Sequence, residues 1–483
     1  MLNRRDFLKA ASLVALYPTA CITTRQRESG EWVNDIHSQL NATHVAAVRK
    51  PRSIDELQSF VRKSGRRPIC VAGGRHAMGG QQFASDATLI DMTSMNKVLA
   101  FDQQNGTIDV ESGIEWPELV HQMLDTRWAI RQKQTGADRL TLGGSLAANA
   151  HGRGLKFKPI AGDVDSITLI DAGGGVVECS RTMNRELFSL AIGGYGLFGV
   201  IASIRLRLAP RQKVQRVVEV QQVERVKQAF DRRIEEGFLY GDFQFGIDPA
   251  SDTFLHDGVF SCYRPVSDDT PMPSTQAELR EEDWRKLLLL AHVNKSQAYE
   301  RYVSYYMSTI GQVYWSDEHQ LSVYPNDYHR AIDATLHSEP STEMITEIYV
   351  PRERLADFMA EAREDFRHND VNVVYGTVRL IERDDDTFLP WAKESYACVI
   401  FNLHTEHSDA GMKRSADAFR RLIDMAIARN GSYFLTYHRW ARRDQVEACY
   451  PRFAEFLRLK RRFDPHERFQ SEWYRHYKAM FSA

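Results

Sequence analysis

"AGGRHAMGG", residues 72–80, sets one histidine among four glycines directly after the apolar run "PICV". Glycine reaches turn conformations with φ > 0 and puts no Cβ between backbone and ligand. The stretch therefore suits either a tight turn or the cradle of a phosphate-bearing cofactor. A second cluster, "TGADRLTLGGSLAANAHGRG" (135–154), shares the composition. Its N–H groups could approach a pyrophosphate closely, or the loop could pack against a neighbouring element. A third, "GYGLFG" (194–199), has the G-x-G-x-x-G spacing of a nicotinamide dinucleotide fold. That fingerprint opens a helix, whereas "VIASIRLRL" follows here, alternating and β-branched. It reads as a strand, and the nicotinamide reading fails on context.

Outward from these loops the pattern is regular. "HVAAV", "PRSIDELQSFVRKSG" and "PICV" read as β-α-β: Ser53 and Glu56 have capping-box spacing, and Ile54, Leu57 and Val61 share a helical face. "ATLIDMTSM", "KVLAF" and "TIDVESGI" are short and alternate, with an Asn-Gly turn in "DQQNG", and suggest a meander on one sheet. Pro117 opens a short helix. "DVDSITLIDAGGGVVECS" reads as a hairpin. After Pro210 aromatic and charged residues become denser. Strand candidates "EMITEIYVP", "VNVVYGTVRLI" and "YACVIFNLH" and helix candidates "RERLADFMAEAREDFR" and "KRSADAFRRLIDMAIARNG" point to a second α+β domain. The tail "YPRFAEFLRLKRRFDPHERF" reads as a helix closed by Asp464-Pro465.

A chain of 483 residues exceeds one ordinary core, and two domains are expected. With 43% hydrophobic and 26% charged residues it is globular, and a net charge of -2 gives no electrostatic case for nucleic acid. The six cysteines show no C-x-x-C spacing, so neither a disulfide framework nor a cysteine zinc site is expected. The carboxylates Asp384, Asp385 and Asp386 lack EF-hand spacing and read as a solvated turn; no metal is expected. At the N-terminus, "NRRDFLKAASLVALYPTAC" (3–21) has the basic start, short apolar run and small residues of an export signal, and Arg4-Arg5 resembles the twin-arginine type. The run falls short of the ~20 residues that span a bilayer. A lipid anchor at Cys21 would want Leu where Pro18 stands. The expectation is an exported, periplasmic protein, with membrane anchoring as the alternative.

"GGRHAMGG" and "LGGSLAANAHG", with a β-rich segment between them and "GLFGVI" some fifty residues later, resemble the vanillyl-alcohol oxidase-type (PCMH-type) FAD-binding oxidoreductases, nearest their sugar-lactone and alditol oxidase branch. The resemblance implies an α+β fold: a two-subdomain FAD-binding domain (43–212) behind the export signal (1–26), an α+β cap over the flavin (213–444), and a C-terminal segment (445–483) returning to the first domain. It also implies FAD as cofactor. Gly73, Gly74, Arg75, His76 and Ala77 match the loop beside the flavin diphosphate and ring. Histidine at the position of His76 is commonly bonded to the flavin 8α-methyl, with Ala77 standing where many covalent members have Ser. Thr135, Gly136, Gly143, Gly144, Ser145, Asn149, His151 and Gly152 match the pyrophosphate segment, and Gly199, Val200 and Ile201 the strand near adenine or ribitol. Ala150 lies where access to flavin C4a can be controlled.

Alcohol oxidation at flavin needs hydride delivery, removal of the hydroxyl proton, and positive charge at the pyrimidine. "TVRLIERDDDTFLP" keeps Arg379 of the branch's Glu-x-Arg strand but has Thr377 in the glutamate position. Asn402 and His404 share a face by the period of two. "LTYHRWARR" (435–443) resembles the segment that ends in a cation at the pyrimidine, which makes Tyr437, His438 and Arg439 candidates ahead of Arg442. The expected activity is FAD-dependent oxidation of a CH–OH group on a sugar, sugar lactone or polyol, with oxygen or another electron acceptor. Thr377 keeps one alternative open, a flavin-carrying relay or binding protein without alcohol turnover; a flavin-dependent double-bond reductase is a further alternative.

Overall fold

In the computed structural model, residues 30–322, 325 and 327–482 are described. The export signal and Cys21 lie outside the described residues. Strands β1 (Ala47–Arg49), β2 (Ile69–Ala72) and β3 (Thr88–Asp91) form a parallel sheet in the order β1-β3-β2, with helix α1 (Ile54–Lys63) crossing between β1 and β2. Ser53 Oγ caps α1 by accepting from Glu56 N at 3.2 Å. The reciprocal bond reaches one residue further back than a capping box, from Arg52 N to the Glu56 carboxylate at 2.9 Å. Leu57 and Val61 are buried beneath it.

A five-stranded antiparallel sheet follows. It is built from β4 (Val98–Asp102), β5 (Thr107–Glu111), the hairpin β6 (Val164–Ile170) and β7 (Val176–Ser180), and β8 (Val200–Arg207), in the order β7-β6-β8-β5-β4. Gly199 leads into β8, so "GYGLFG" opens a strand. The expected meander is corrected: "ATLID" leaves it for the parallel sheet. All four residues of β3 are buried, the environment of a parallel strand covered on both faces, whereas none of the five residues of β4 is fully buried. Helix α2 (Leu142–Ala148) begins at Thr141, whose Oγ1 accepts from Gly144 N at 3.2 Å.

The second half is one antiparallel sheet of eight strands. These are β9 (Lys213–Gln222), β10 (Tyr240–Phe245), β11 (Asp257–Val266), β12 (Val313–Trp315), β13 (Ser341–Pro351), β14 (Val373–Ile381), β15 (Tyr396–Glu406) and β16 (Ser432–Tyr433), ordered β12-β9-β11-β10-β14-β15-β13-β16. Helices α3 (Val223–Glu235), α4 (Leu355–His368) and α5 (Asp409–Ile427) accompany it, burying Phe230, Phe358, Phe366 and Phe419. The three aspartates are no solvated turn. Asp384 is buried and accepts from Asn149 Nδ2 at 2.9 Å, Asp385 pairs with Lys158 at 2.9 Å, and Asp386 with Arg181 at 2.7 Å. They tie the turn after β14 to the N-terminal half. The five described cysteines are free and buried, and among the described residues no helix is long and apolar enough to cross a membrane.

Helix α6 (Phe453–Phe463) ends at Asp464, and the chain returns to the parallel sheet: Ile69 N donates to Arg468 O at 2.7 Å and Gln470 N to Ile69 O at 2.8 Å. This covers the open edge of β2. The return depends on a buried ion pair between Lys460 and Asp464, whose Oδ2 also accepts from Phe469 N at 2.8 Å. Removing one partner of such a pair strands the other charge and typically costs about 3–5 kcal/mol. Asp464→Asn is expected to lower unfolding stability by that order in urea titration, and the double change Lys460→Met, Asp464→Asn to recover most of the loss.

Candidate active site

A cavity of about 990 Å³ lies between the glycine-rich loops and one face of the eight-stranded sheet. Gly73 and Gly74 are glycines because two loops press together. A Cβ on Gly73 would sit 2.0 Å from Thr141 Oγ1, and one on Gly74 would sit 2.3 Å from the Arg139 carbonyl. Gly136 differs: at φ +94° it has nothing within 4 Å of a Cβ position and opens onto the cavity beside Thr135 Oγ1, which is buried without a hydrogen-bond partner. Loop packing and an open polar cradle thus coexist in one glycine-rich wall. These features fit the dinucleotide that the resemblance implies.

His76 lines the cavity. Its Nε2 is 3.1 Å from the Arg139 carbonyl, which can only accept, so Nε2 carries the proton; Nδ1, 2.8 Å from His37 Nε2, accepts. Burial, then the neighbouring His37, holds this imidazole well below its usual pKa, so it is neutral and has a lone pair on Nδ1.

Opposite the glycine loops, Glu347 on β13 is buried and gathers three donors: Tyr349 Oη at 2.7 Å, Tyr437 Oη at 2.8 Å and His151 Nε2 at 3.0 Å. His151 Nδ1 lies 2.9 Å from the Gly152 carbonyl. Both ring nitrogens thus face oxygen acceptors, the Gly152 carbonyl and the Glu347 carboxylate. Burial alone would raise the Glu347 pKa; the charge and hydrogen bond of His151 and the bond from Tyr349 outweigh it and hold the carboxyl below its usual range. The same carboxylate pushes the Tyr437 phenol, already raised by burial, further up. Cys398 Sγ completes the cluster, 3.8 Å from Glu347 Oε2. Further along the sheet Arg379 Nε, Asn402 Oδ1, Asp242 Oδ1, Gln244 Oε1 and His319 Nε2, all in side chains on the cavity wall, are buried without partners. Each such group costs about 1–3 kcal/mol, and together they describe a polar ligand.

The residues named from sequence divide. Gly73, Gly74, Arg75, His76, Ala77, Thr135, Gly136, Gly143, Gly144, Ser145, Ala150, His151, Gly199, Ile201, Arg379, Asn402 and Tyr437 line the cavity. Asn149, Gly152 and Val200 do not: Asn149 caps α2 in the left-handed region and holds Asp384, Gly152 packs its backbone against Lys133, and Val200 sits in the core between the N-terminal sheets. His404 is off the lining, its ring 5.3 Å from that of His292. His438 is stacked on Phe419 at 4.7 Å and bonds Thr346 at 3.3 Å, a core histidine. Arg439 turns the other way, towards Asn41, and Arg442 pairs with Asp424 and Asp444 at the surface. Missed from sequence were His37, Glu343, Glu347, Arg153, Arg216, Asp242 and Gln244, all on the lining. A signal existed in "EMITEIYV", where two glutamates four apart share one face of an otherwise apolar central strand.

The family pattern for an FAD binding domain matches residues 45–180. L-gulonolactone oxidase of Bos taurus is 30% identical over 34% of this chain and 38% of its own length, and cytokinin dehydrogenase 3 of Oryza sativa subsp. japonica 35% identical over 34% and 32%. The chain thus spans little more than a third of these relatives. L-gulono-1,4-lactone dehydrogenase of Mycobacterium tuberculosis is 23% identical over 89% of this chain and 95% of its own. The chain carries an FAD binding domain, and FAD is its cofactor.

Burial, then the charge of Arg420, pushes the His438 pKa down to about 3. The unfolded chain takes up this proton as pH falls through ~6.5, the folded protein only near its lower value, so the stability is present above pH 7 and is lost on acidification. At pH 5 the loss is about 2 kcal/mol. His438→Phe, which keeps the stack, is expected to remove about that much of the stability difference between pH 7 and pH 5 in urea unfolding; an unchanged difference would contradict the assignment.

Proposed function

We propose that this chain oxidises a CH–OH group of a small polar substrate of the sugar, sugar-lactone or polyol type. The observation that carries the reading is Glu347, a buried carboxylate kept ionised by His151 in a cavity shared with the glycine loops. FAD, held by the 73–77, 135–136 and 143–145 segments, supplies the hydride acceptor. Glu347 receives the hydroxyl proton, with Tyr437 at 2.8 Å as the relay: the substrate proton moves to the phenol oxygen as the phenolic proton moves to the carboxylate. Arg379 adds cationic charge to the cavity, and Asn402, whose Nδ2 donates to Glu343 at 2.9 Å, offers its free Oδ1 to a substrate hydroxyl. Glu347 thereby provides, two strands away on the same sheet face, the carboxylate that Thr377 lacks. His76, neutral and nucleophilic, is the residue that would attach the flavin. The twin-arginine-like start accords with export after cofactor loading, oxygen or another acceptor reoxidising the protein there.

Mixed anaerobically with a panel of sugars, lactones and polyols, the holoenzyme is expected to bleach with at least one member. Glu347→Gln should slow that bleaching by about 10²–10⁴-fold with flavin content unchanged. A panel that leaves the flavin oxidised contradicts the reading. Acid-precipitated protein is expected to stay yellow, and His76→Ala to precipitate colourless while still binding FAD; colourless wild-type precipitate would rule out the attachment.

A further inference from the structure

The cavity runs along the eight-stranded sheet from Glu347 on β13 to Arg216 on β9, and at the Arg216 end its charges do not balance. The Arg216 guanidinium is buried among the rings of Tyr263, Tyr306 and Tyr314, at 5.1, 5.2 and 5.0 Å. It donates to Tyr263 Oη at 2.9 Å and Thr309 Oγ1 at 3.1 Å, and among the described residues no carboxylate oxygen comes within 4.0 Å. Beside it, Arg153 reaches Asp242 at 4.0 Å, and its Nη2 donates to His319 Nδ1 at 3.1 Å. Because Nδ1 accepts, the His319 proton is on Nε2. Burial, and then the two arginines, keep this ring neutral. Lys133 nearby is matched by Asp138 at 2.8 Å. Two guanidinium groups therefore face one carboxylate. A buried charge without a counter-ion is costly, and a ligand that supplies one removes the cost.

We propose that this end of the cavity binds a carboxylate on the substrate, so that the substrate is a hydroxy acid, such as an open-chain sugar acid, and not a neutral lactone or polyol. Arg153 Nε–H and His319 Nε2–H, both buried without hydrogen-bond partners, would donate to the carboxylate, and Gln244 Oε1, without a hydrogen bond, and Asp242 Oδ1, which has only the 4.0 Å contact with Arg153, would accept from the hydroxyl next to it. The inference rests on the CH–OH reading for turnover but not for binding.

The test uses matched pairs that differ only in the end group, gluconate against sorbitol and glycerate against glycerol, with L-gulono-1,4-lactone as the neutral ring. Each is titrated into oxidised holoenzyme at pH 7 and followed by the flavin absorbance, then repeated anaerobically for bleaching. The acids are expected to bind at least tenfold more tightly than their alditols, with the advantage shrinking as salt is raised. Arg216→Gln should abolish the advantage and leave alditol binding within twofold, with flavin content unchanged; Arg216→Lys should keep part of it. Equal binding of acids and alditols by the wild type overturns the proposal whether or not the variant folds, and so does Arg216→Gln weakening both equally. Acids that bind without bleaching would leave the anion subsite and remove the CH–OH reading. Alditols that bleach with no preference for acids would do the reverse, and absence of any spectral change would remove both.

Discussion

A carboxylate buried between two halves of a protein must be either neutralised or answered, and Glu347 is answered by His151. The pair is 3.0 Å long and joins the loop after α2, at the end of the second glycine cluster, to the centre of β13 in the eight-stranded sheet. Losing one partner of a buried pair typically costs about 3–5 kcal/mol, so the contact favours one register of the loop against the sheet. The cavity exists between surfaces that this pair holds together. The same contact sets the state of the carboxylate: His151 and Tyr349 outweigh the effect of burial and keep Glu347 ionised, and the Tyr437 hydroxyl donates to it from the cavity wall.

The two explanations of a glycine-rich loop, ligand approach and tight packing, are both realised a few residues apart. Gly73 and Gly74 make room for Thr141 and the Arg139 carbonyl, and this packing places His76 where Arg139 and His37 define its proton. Gly136 makes room for nothing in the protein and faces the cavity. Packing positions the wall; open backbone supplies the cradle.

Local pattern carried the strands and helices, because alternation, capping residues and turn signals act within a few residues. It carried "GYGLFG" correctly, since the β-branched run after it precludes a helix opening. It misplaced "ATLID", whose membership of the parallel sheet depends on burial by segments far away in sequence. The site was legible where backbone chemistry dominates, in the 73–77, 135–136 and 143–145 segments. It was not legible where several strands converge. Glu347 and His151 are 196 residues apart, and no spacing rule links them. His438 and Arg439 looked equivalent to Tyr437 in a basic segment, yet of the three only Tyr437 faces the cavity, while His438 is taken up by aromatic stacking. Arg153, Arg216 and Asp242 come from three separate segments, and their imbalance of charge is visible only when they are assembled.

The proposed oxidation requires Glu347 and His151 to stand at the reacting edge of the flavin. A crystal structure of the FAD-loaded protein tests this most directly. The isoalloxazine ring is expected beside the 73–77 loop with Glu347, His151 and Tyr437 in the wall of the space over it; a flavin ring seated elsewhere, with protein packed between it and Glu347, would contradict the account.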